Sequence, residues 1–252
     1  MIRGMDRPDI YGALVWFDED PDDLEAMVES CAGFVDTLVA LDGAYRTFPH
    51  DGRPVSDRSQ YEALERACRR VGMGLVMPDG REWDSQVVKR TTAFHLVEQL
   101  ARPYRDLVFV IDADERIIEL DEPAVLEAMR SADVGTVDVV TTDPADGPMR
   151  MPGVQPPSSI DTPGKVYPRL FTVQREMRVG PAYHWTYTAK NRIGDRVVLK
   201  GAQTIDEPIE KAPVADLRDV LRLTNGTWDR PAKRLKQKKR YARERWRHGI
   251  DL

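Results

Sequence analysis

Apolar runs and polar breaks alternate along this chain in a regular order. The first run, residues 11–17, stops at Asp18-Glu19-Asp20-Pro21. There Asp20 can cap a helix and Pro21 suits its first position, while Asp22 and Asp23 favour the positive end of the helix dipole. Leu24, Met27, Val28 and Cys31 then recur at helical spacing and predict a buried face. A second apolar run, 34–41, ends at Asp42-Gly43. Strand, helix and strand within about 30 residues form the βαβ unit of a parallel sheet.

The pattern continues. Residues 44–57 have no periodicity and read as a loop; 59–71 reads as a helix with Tyr61, Leu64, Ala67 and Cys68 inward, ended by Gly72 and Gly74. A short strand over 74–77 and a helix over 85–100, presenting Val88, Thr92, Phe94, His95, Leu96 and Val97, lead to Pro103. Residues 107–111 are five consecutive apolar residues, the mark of a strand buried on both faces. Beyond them the spacing predicts a helix over 122–130 and strands over 137–142, 166–171, 183–187, 196–199 and 203–205. Residues 142–165 are rich in Pro, Gly and Ser and read as a long loop, either a binding loop or a disordered insert. From 216 the chain reads as mostly helical. The sum is an α/β fold: a mostly parallel sheet flanked by helices, a small antiparallel β portion and a C-terminal helical tail.

Composition adds two points. With 252 residues, 41% hydrophobic and 31% charged, the chain is long enough for a full core and ordinary for a soluble protein. It has no apolar stretch of membrane-spanning length and its start lacks the apolar core of a signal peptide, so a cytoplasmic location is expected. Cys31 and Cys68 lie in helical patterns and read as buried thiols. The net charge of -5 hides an asymmetry: twelve Lys and Arg between Arg218 and Arg247 face only Asp219, Asp229 and Glu244. A domain over 1–215 with a basic extension over 216–252 is the expected organisation, and such a tail suits a polyanionic partner.

The chemistry concentrates where the 107–111 strand ends, at Asp112-Ala113-Asp114-Glu115. Open α/β sheets bind ligands at the carboxyl ends of their strands. Three carboxylates so close repel one another, and a divalent metal carrying a phosphate-containing substrate would relieve them. A strand that merely ends in a polar turn is the alternative.

Several pieces in order carry a resemblance. The second strand ends in Leu41-Asp42-Gly43; Trp83-Asp84 and Lys89-Arg90-Thr91 precede the acidic strand; Val110-Ile111-Asp112-Ala113-Asp114-Glu115 has an Asp-x-Asp pattern followed by Glu; Tyr167-Pro168-Arg169-Leu170-Phe171 leads to Gly180 and His184. From about residue 13 to 187 the chain resembles the GT-A fold glycosyltransferases, particularly the family 2-like branch. That resemblance implies a Rossmann-like GT-A sheet, a nucleoside diphosphate-sugar donor (UDP-sugar ahead of GDP-sugar) and a Mn²⁺ or Mg²⁺ ion. It assigns the direct metal contact to Asp114, and the ribose or a metal-bound water to Asp112. His184 becomes a third metal ligand or a packed residue beside Trp185. Lys89 and Arg90 become partners of the diphosphate or a solvated helix face. Phe17, Asp18 and Asp42 stand where the base and ribose rest, and Trp83 closes a sugar pocket or plugs the core.

An inverting transferase needs a carboxylate base. Asp143, Asp146, Asp161 and Glu176 are candidates, and no motif chooses among them; a retaining mechanism stays open. Lys233, Arg234, Lys238, Lys239 and Arg240, with Trp228, Tyr241 and Trp246 interleaved, suit phosphate neutralisation on nucleic acid. The expected activity is therefore transfer of a hexose to a hydroxyl, such as that of a hydroxymethylated pyrimidine in phage-type DNA. A carbohydrate, lipid-linked or protein acceptor, a nucleotidyltransferase and a non-catalytic nucleic-acid-binding module are the competing readings, and the basic helix could instead pack on the domain. Oligomeric state has no signal in the sequence.

Overall fold

A computed structural model describes residues 7–46, 52–141, 165–179, 187–190, 196–200 and 210–225. The first half follows the sequence pattern: β1 (Ile10–Trp16), α1 (Pro21–Ser30), β2 (Thr37–Asp42), α2 (Arg58–Val71), β3 (Gly74–Val76), α3 (Gln86–Leu100) and β4 (Leu107–Ile111). Local chemistry sets the boundaries. The Asp20 carboxylate accepts the Asp22 N–H at 3.0 Å ahead of Pro21 and starts α1. Gly72, at φ 70°, ends α2 in the left-handed conformation that glycine adopts without penalty. Ser85 caps α3 by accepting the Val88 N–H at 3.2 Å.

After β4 come β5 (Glu115–Leu120), α4 (Glu122–Met129), β6 (Val134–Thr141), β7 (Lys165–Thr172), β8 (Arg175–Val179), β9 (Tyr187–Lys190), β10 (Arg196–Lys200), β11 (Glu210–Lys211), β12 (Val214–Asp216) and β13 (Leu221–Asn225). The main sheet has the order β3-β2-β1-β4-β7-β6-β13-β5, with β12 also beside β6. The pairs β1–β2, β2–β3 and β1–β4 are parallel. Because β7 is antiparallel to both β4 and β6, β6 points the same way as β4, and β12 and β13 run parallel to β6. The carboxyl ends of β1, β2, β3, β4, β6 and β13 therefore share one edge. A second sheet has the order β11-β10-β9-β8, antiparallel from β8 to β10. The architecture is an α/β fold with a large mixed sheet, flanking helices and a small, mostly antiparallel sheet, consistent with the GT-A arrangement expected from the sequence.

Two core clusters cover the two faces of the main sheet, and the two-residue period of a strand decides what reaches which. Leu107, Phe109 and Ile111 of β4 pack with Leu38 and Ala40 of β2 on the side of α1 and α2. Val108 and Val110 pack with Phe94 and Val97 of α3 and Tyr187 of β9 on the other side. Counting on, Asp112 falls on the α3 side and Asp42 on the α2 side. That single parity separates the two acidic strand ends.

Some expectations need correction. Residues 221–225 are not part of a helix beginning at 216; they are β13, inside the main sheet. Leu221-Arg222-Leu223-Thr224 alternates with period two, and buried Leu221 and Leu223 give the strand its core face. The acidic turn leads directly into β5, and β8 is a further strand that local pattern did not reveal. On α3 the buried residues are Lys89, Arg90, Ala93, Phe94 and Val97, whereas Val88 and His95 are exposed. Of the strand expected over 183–187, Tyr187 opens the described part, β9, and residues 183–186 lie outside the described residues. The 203–205 strand, most of the 142–165 loop and the chain beyond 225 lie outside the described residues. Cys31 and Cys68 are buried free thiols, and burial pushes them up to about 12 and about 11. Among the described residues no helix is long and apolar enough to cross a membrane.

Candidate active site

The β4 strand ends in a closed turn. Glu115 donates its N–H to the Asp112 carbonyl at 3.0 Å, and its side-chain Oε2 accepts the Asp112 N–H at 3.1 Å. Ala113 is buried between two half-buried aspartates, Asp112 and Asp114. Positive charge reaches the turn from two other elements. Arg90 of α3 donates from Nη2 to Asp112 Oδ1 at 2.8 Å; Arg169 of β7 donates from Nη2 to Asp112 Oδ2 at 3.2 Å and also to Glu115 Oε1. Arg169 shares its side of β7 with Phe171, which is why it meets Arg90 on the α3 face. Tyr187, against Phe171 and Phe94 at 4.7 and 5.8 Å between ring centroids, closes the cluster from the small sheet.

The electrostatics divide Asp112 from Glu115. Burial pushes Asp112 up, but Arg90 and Arg169 outweigh it and hold the carboxyl below the usual carboxylate range. Burial also pushes Glu115 up; Arg169 opposes this, the neighbouring Asp112 adds to it, and the result is about 7. Burial lowers both guanidiniums, yet Asp112 beside Arg90, and Glu115 with Asp112 beside Arg169, hold them above their ordinary value. Tyr187 is raised by burial against the pull of the two arginines.

The other acidic strand end is built differently. Asp42 Oδ1 accepts the Ser56 hydroxyl at 2.6 Å; Oδ2 accepts the Ser56 N–H at 2.8 Å and the Tyr61 hydroxyl at 2.5 Å. Its carbonyl accepts Trp83 Nε1 at 2.7 Å. Trp83 is buried and pairs by backbone with residues 44–46, so it is the plug and not a lid over a sugar pocket. Gly43 (φ 119°) and Gly80 permit the close approach of this segment: a Cβ at Gly43 would stand 1.8 Å from the Arg81 carbonyl oxygen, and one at Gly80 2.6 Å from Asp42 Oδ2. Asp18, just beyond β1, is itself left-handed at φ 53°, and its N–H donates to Ser56 Oγ at 2.8 Å.

Lys89 and Arg90 are not a solvated helix face, since both are buried. They differ in use. Arg90 goes to the acidic turn, whereas Lys89 Nζ donates to the carbonyls of Trp16 at 2.6 Å and Gly43 at 2.7 Å, tying β1 to the chain just after β2. Burial lowers the Lys89 ammonium to about 7, with Asp42 opposing and Arg90 adding to the shift. Phe17 and Asp18 lie at the same edge, half-buried and exposed. Glu176 is not brought to the turn. It pairs with Lys190 at 2.5 Å, and its N–H donates to Glu98, eight residues or about 12 Å along α3 from Arg90. Asp143, Asp146, Asp161, His184 and the basic residues Lys233, Arg234, Lys238, Lys239 and Arg240 lie outside the described residues.

A divalent cation is not accounted for by this geometry. Each oxygen of Asp112 carries a guanidinium, and among the described residues no group of three metal-ligating side chains comes together. Arginine supplies positive charge to two of the three acids of the turn, Asp112 and Glu115. The sequence motifs contain Arg169 and Glu115 without pointing to a role for either; their signal is a buried strand position that carries charge. Ser56 and Tyr61 had no local signal, since the partner of Asp42 is set by which face β2 turns to α2.

No protein-family model matches the sequence, and no curated protein matches it. Among solved structures, a 1-349 segment of S. aureus TarS is similar at 13% identity and a TM-score of 0.42, over 66% of this chain and 47% of that one. The same segment in complex with UDP is similar at 11% identity and 0.39, over 56% and 38%; in complex with UDP-GlcNAc the values are 14% and 0.37, over 56% and 37%. The chain thus spans less than half the length of the structures it resembles.

Proposed function

We propose that this chain is a glycosyltransferase that uses a nucleoside diphosphate-sugar, with a UDP-sugar as donor and a hexose as the transferred group. The observation that carries the reading is the buried Arg90–Asp112–Arg169 cluster beside Asp114, at the edge where the parallel strands end. That edge is where open α/β sheets take nucleotides. The Arg90 guanidinium beside the turn favours a diphosphate, and charge that develops as the sugar–phosphate bond breaks is best met by preorganised donors. A Mn²⁺ or Mg²⁺ ion would need Asp114 together with ligands beyond the described residues, among which His184 is the candidate.

The acceptor we favour is a hydroxyl on nucleic acid, such as a hydroxymethylated pyrimidine in DNA. Residues 226–252 hold ten Lys and Arg against Asp229, Glu244 and Asp251. They follow Asn225, whose strand partners are Glu115 on one side and Thr141 on the other. The basic segment therefore begins at the sheet edge that carries the acidic turn.

A donor screen that reads nucleoside diphosphate release, with Mn²⁺ and with EDTA, tests the activity; mass spectrometry of hydroxymethylated DNA tests the acceptor. We expect release from a UDP-sugar and its loss in Asp114→Ala. Turnover unchanged in Asp114→Ala would sink the assignment of the turn, and sugar appearing only on a carbohydrate, lipid-linked or protein acceptor would replace DNA.

A further inference from the structure

Arg169 and Glu115 are among the most deeply buried charged groups described, at 2% and 1% side-chain exposure. Their bonds close a ring. The Asp112 N–H donates to Glu115, Glu115 accepts Arg169, and Arg169 returns to the Asp112 carboxylate. Three elements meet there: the turn after β4, the first residue of β5, and β7 two strands away from β13 in the sheet order. Arg90 holds the remaining Asp112 oxygen from α3. With one guanidinium on each oxygen, the carboxylate has a fixed plane, and the turn that contains Asp114 is held by both ends.

Stability alone does not call for this arrangement. Desolvating a buried ion pair costs about as much as the pair returns, and an apolar pair of similar volume would hold β5 near β7 as well or better. What the charged ring supplies, and an apolar pair could not, is orientation of a third group. We propose that Arg169 and Glu115 are positioning residues of the active site, which orient the Asp112 carboxylate and the turn presenting Asp114 without touching the donor themselves. The assignment rests on the nucleotide-sugar reading above.

The test uses the full chain with three variants. In Glu115→Gln the amide oxygen can accept either Arg169 or the Asp112 N–H, and its NH₂ can replace neither acceptor, so one side of the ring opens. Arg169→Lys keeps the charge and loses the planar fork. Arg169→Ala vacates the site for added methylguanidinium. A misplaced catalytic group costs on the order of 100-fold, so kcat should fall about 10- to 100-fold in Glu115→Gln and Arg169→Lys. Donor KM should stay within about threefold, because the groups that bind the donor remain. Methylguanidinium should restore part of the lost kcat in Arg169→Ala and leave an Arg58→Ala control, from an exposed pair with Glu62, unaffected.

Wild-type kcat and KM in Glu115→Gln and Arg169→Lys would overturn the assignment, as would losses that only track the unfolded fraction. Should Arg169→Ala fail to fold, those two near-isosteric variants decide. A wild type that neither binds UDP nor releases it from a donor would overturn the functional reading and this assignment together. A wild type that turns over donor beside two unimpaired variants overturns this assignment alone.

Discussion

Arg90 reaches 2.8 Å from its Nη2 to Oδ1 of Asp112, joining the fifth residue of α3 to the residue that follows β4, 22 positions later. Both side chains come from segments that pack for other reasons, α3 on the sheet and β4 within it. Once packed, neither can leave the other without stranding a charge.

Arg90→Met should therefore be costly. Breaking a buried pair by removing one partner typically destabilises by about 3 to 5 kcal/mol. Asp112 keeps Arg169 and is 28% exposed, so the lower end of that range is expected. Urea denaturation measures it, and calorimetry with UDP should show weaker binding than Arg90→Lys retains.

The stability of the fold should have a minimum near neutral pH from two buried groups of opposite kind. Glu115 is raised from 4.5 to about 7, so the native state binds the extra proton between those values and stability falls as pH rises through that window. Lys89 is lowered from 10.5 to about 7, so above neutrality the unfolded chain binds the extra proton and stability rises with pH. Each slope is at most about 1.4 kcal/mol per pH unit. Denaturant titrations from pH 5 to 10 should show both arms. Glu115→Gln should flatten the acid arm and Lys89→Met the alkaline one; a Lys89→Met profile that still climbs above pH 7 would exclude Lys89 as its source.

Two glycines with positive φ should respond unequally to alanine. Gly33, at φ 82°, has nothing within 4 Å of an added Cβ, so the cost is the left-handed backbone alone, about 1 to 2 kcal/mol. Gly43 adds a 1.8 Å clash with the Arg81 carbonyl, which can be relieved only by moving the segment that docks Trp83 on Asp42. A loss of about 3 kcal/mol or more is expected, with a change in tryptophan emission that Gly33→Ala lacks.

Much of this fold was legible because β1 to β4 and their helices are long, apolar and punctuated by strong caps. The acidic turn was legible too, as three carboxylates after a strand buried on both faces. What the sequence could not show was pairing. Arg90 and Arg169 are 79 positions apart and meet only because α3 packs on the face of the sheet that Arg169 shares with Phe171 on β7, the strand paired with β4. The partners of Asp42 depend on strand parity, which a one-residue shift would reverse. β13 was hidden by the charge around it: Arg222 stands between two buried leucines, but a basic neighbourhood reads as a helical tail until its alternation is counted.

The segment after β13 gives the remaining prediction. Asn225 pairs in register with Glu115, and ten Lys and Arg follow it within 226–252. If those side chains neutralise phosphates, each contact releases counterions and adds about 0.9 to the slope of log affinity against log salt. Truncation after Gly226 leaves β13 intact and removes all ten. DNA affinity at low salt should then fall, and its salt dependence should flatten by several units. Release of nucleoside diphosphate from the donor without acceptor should persist, because Arg90, Asp112 and Arg169 are untouched. A truncated chain with the same affinity and slope as the full chain would remove the tail as a phosphate reader. A truncated chain that also loses donor turnover would assign the tail to the nucleotide site instead of the acceptor.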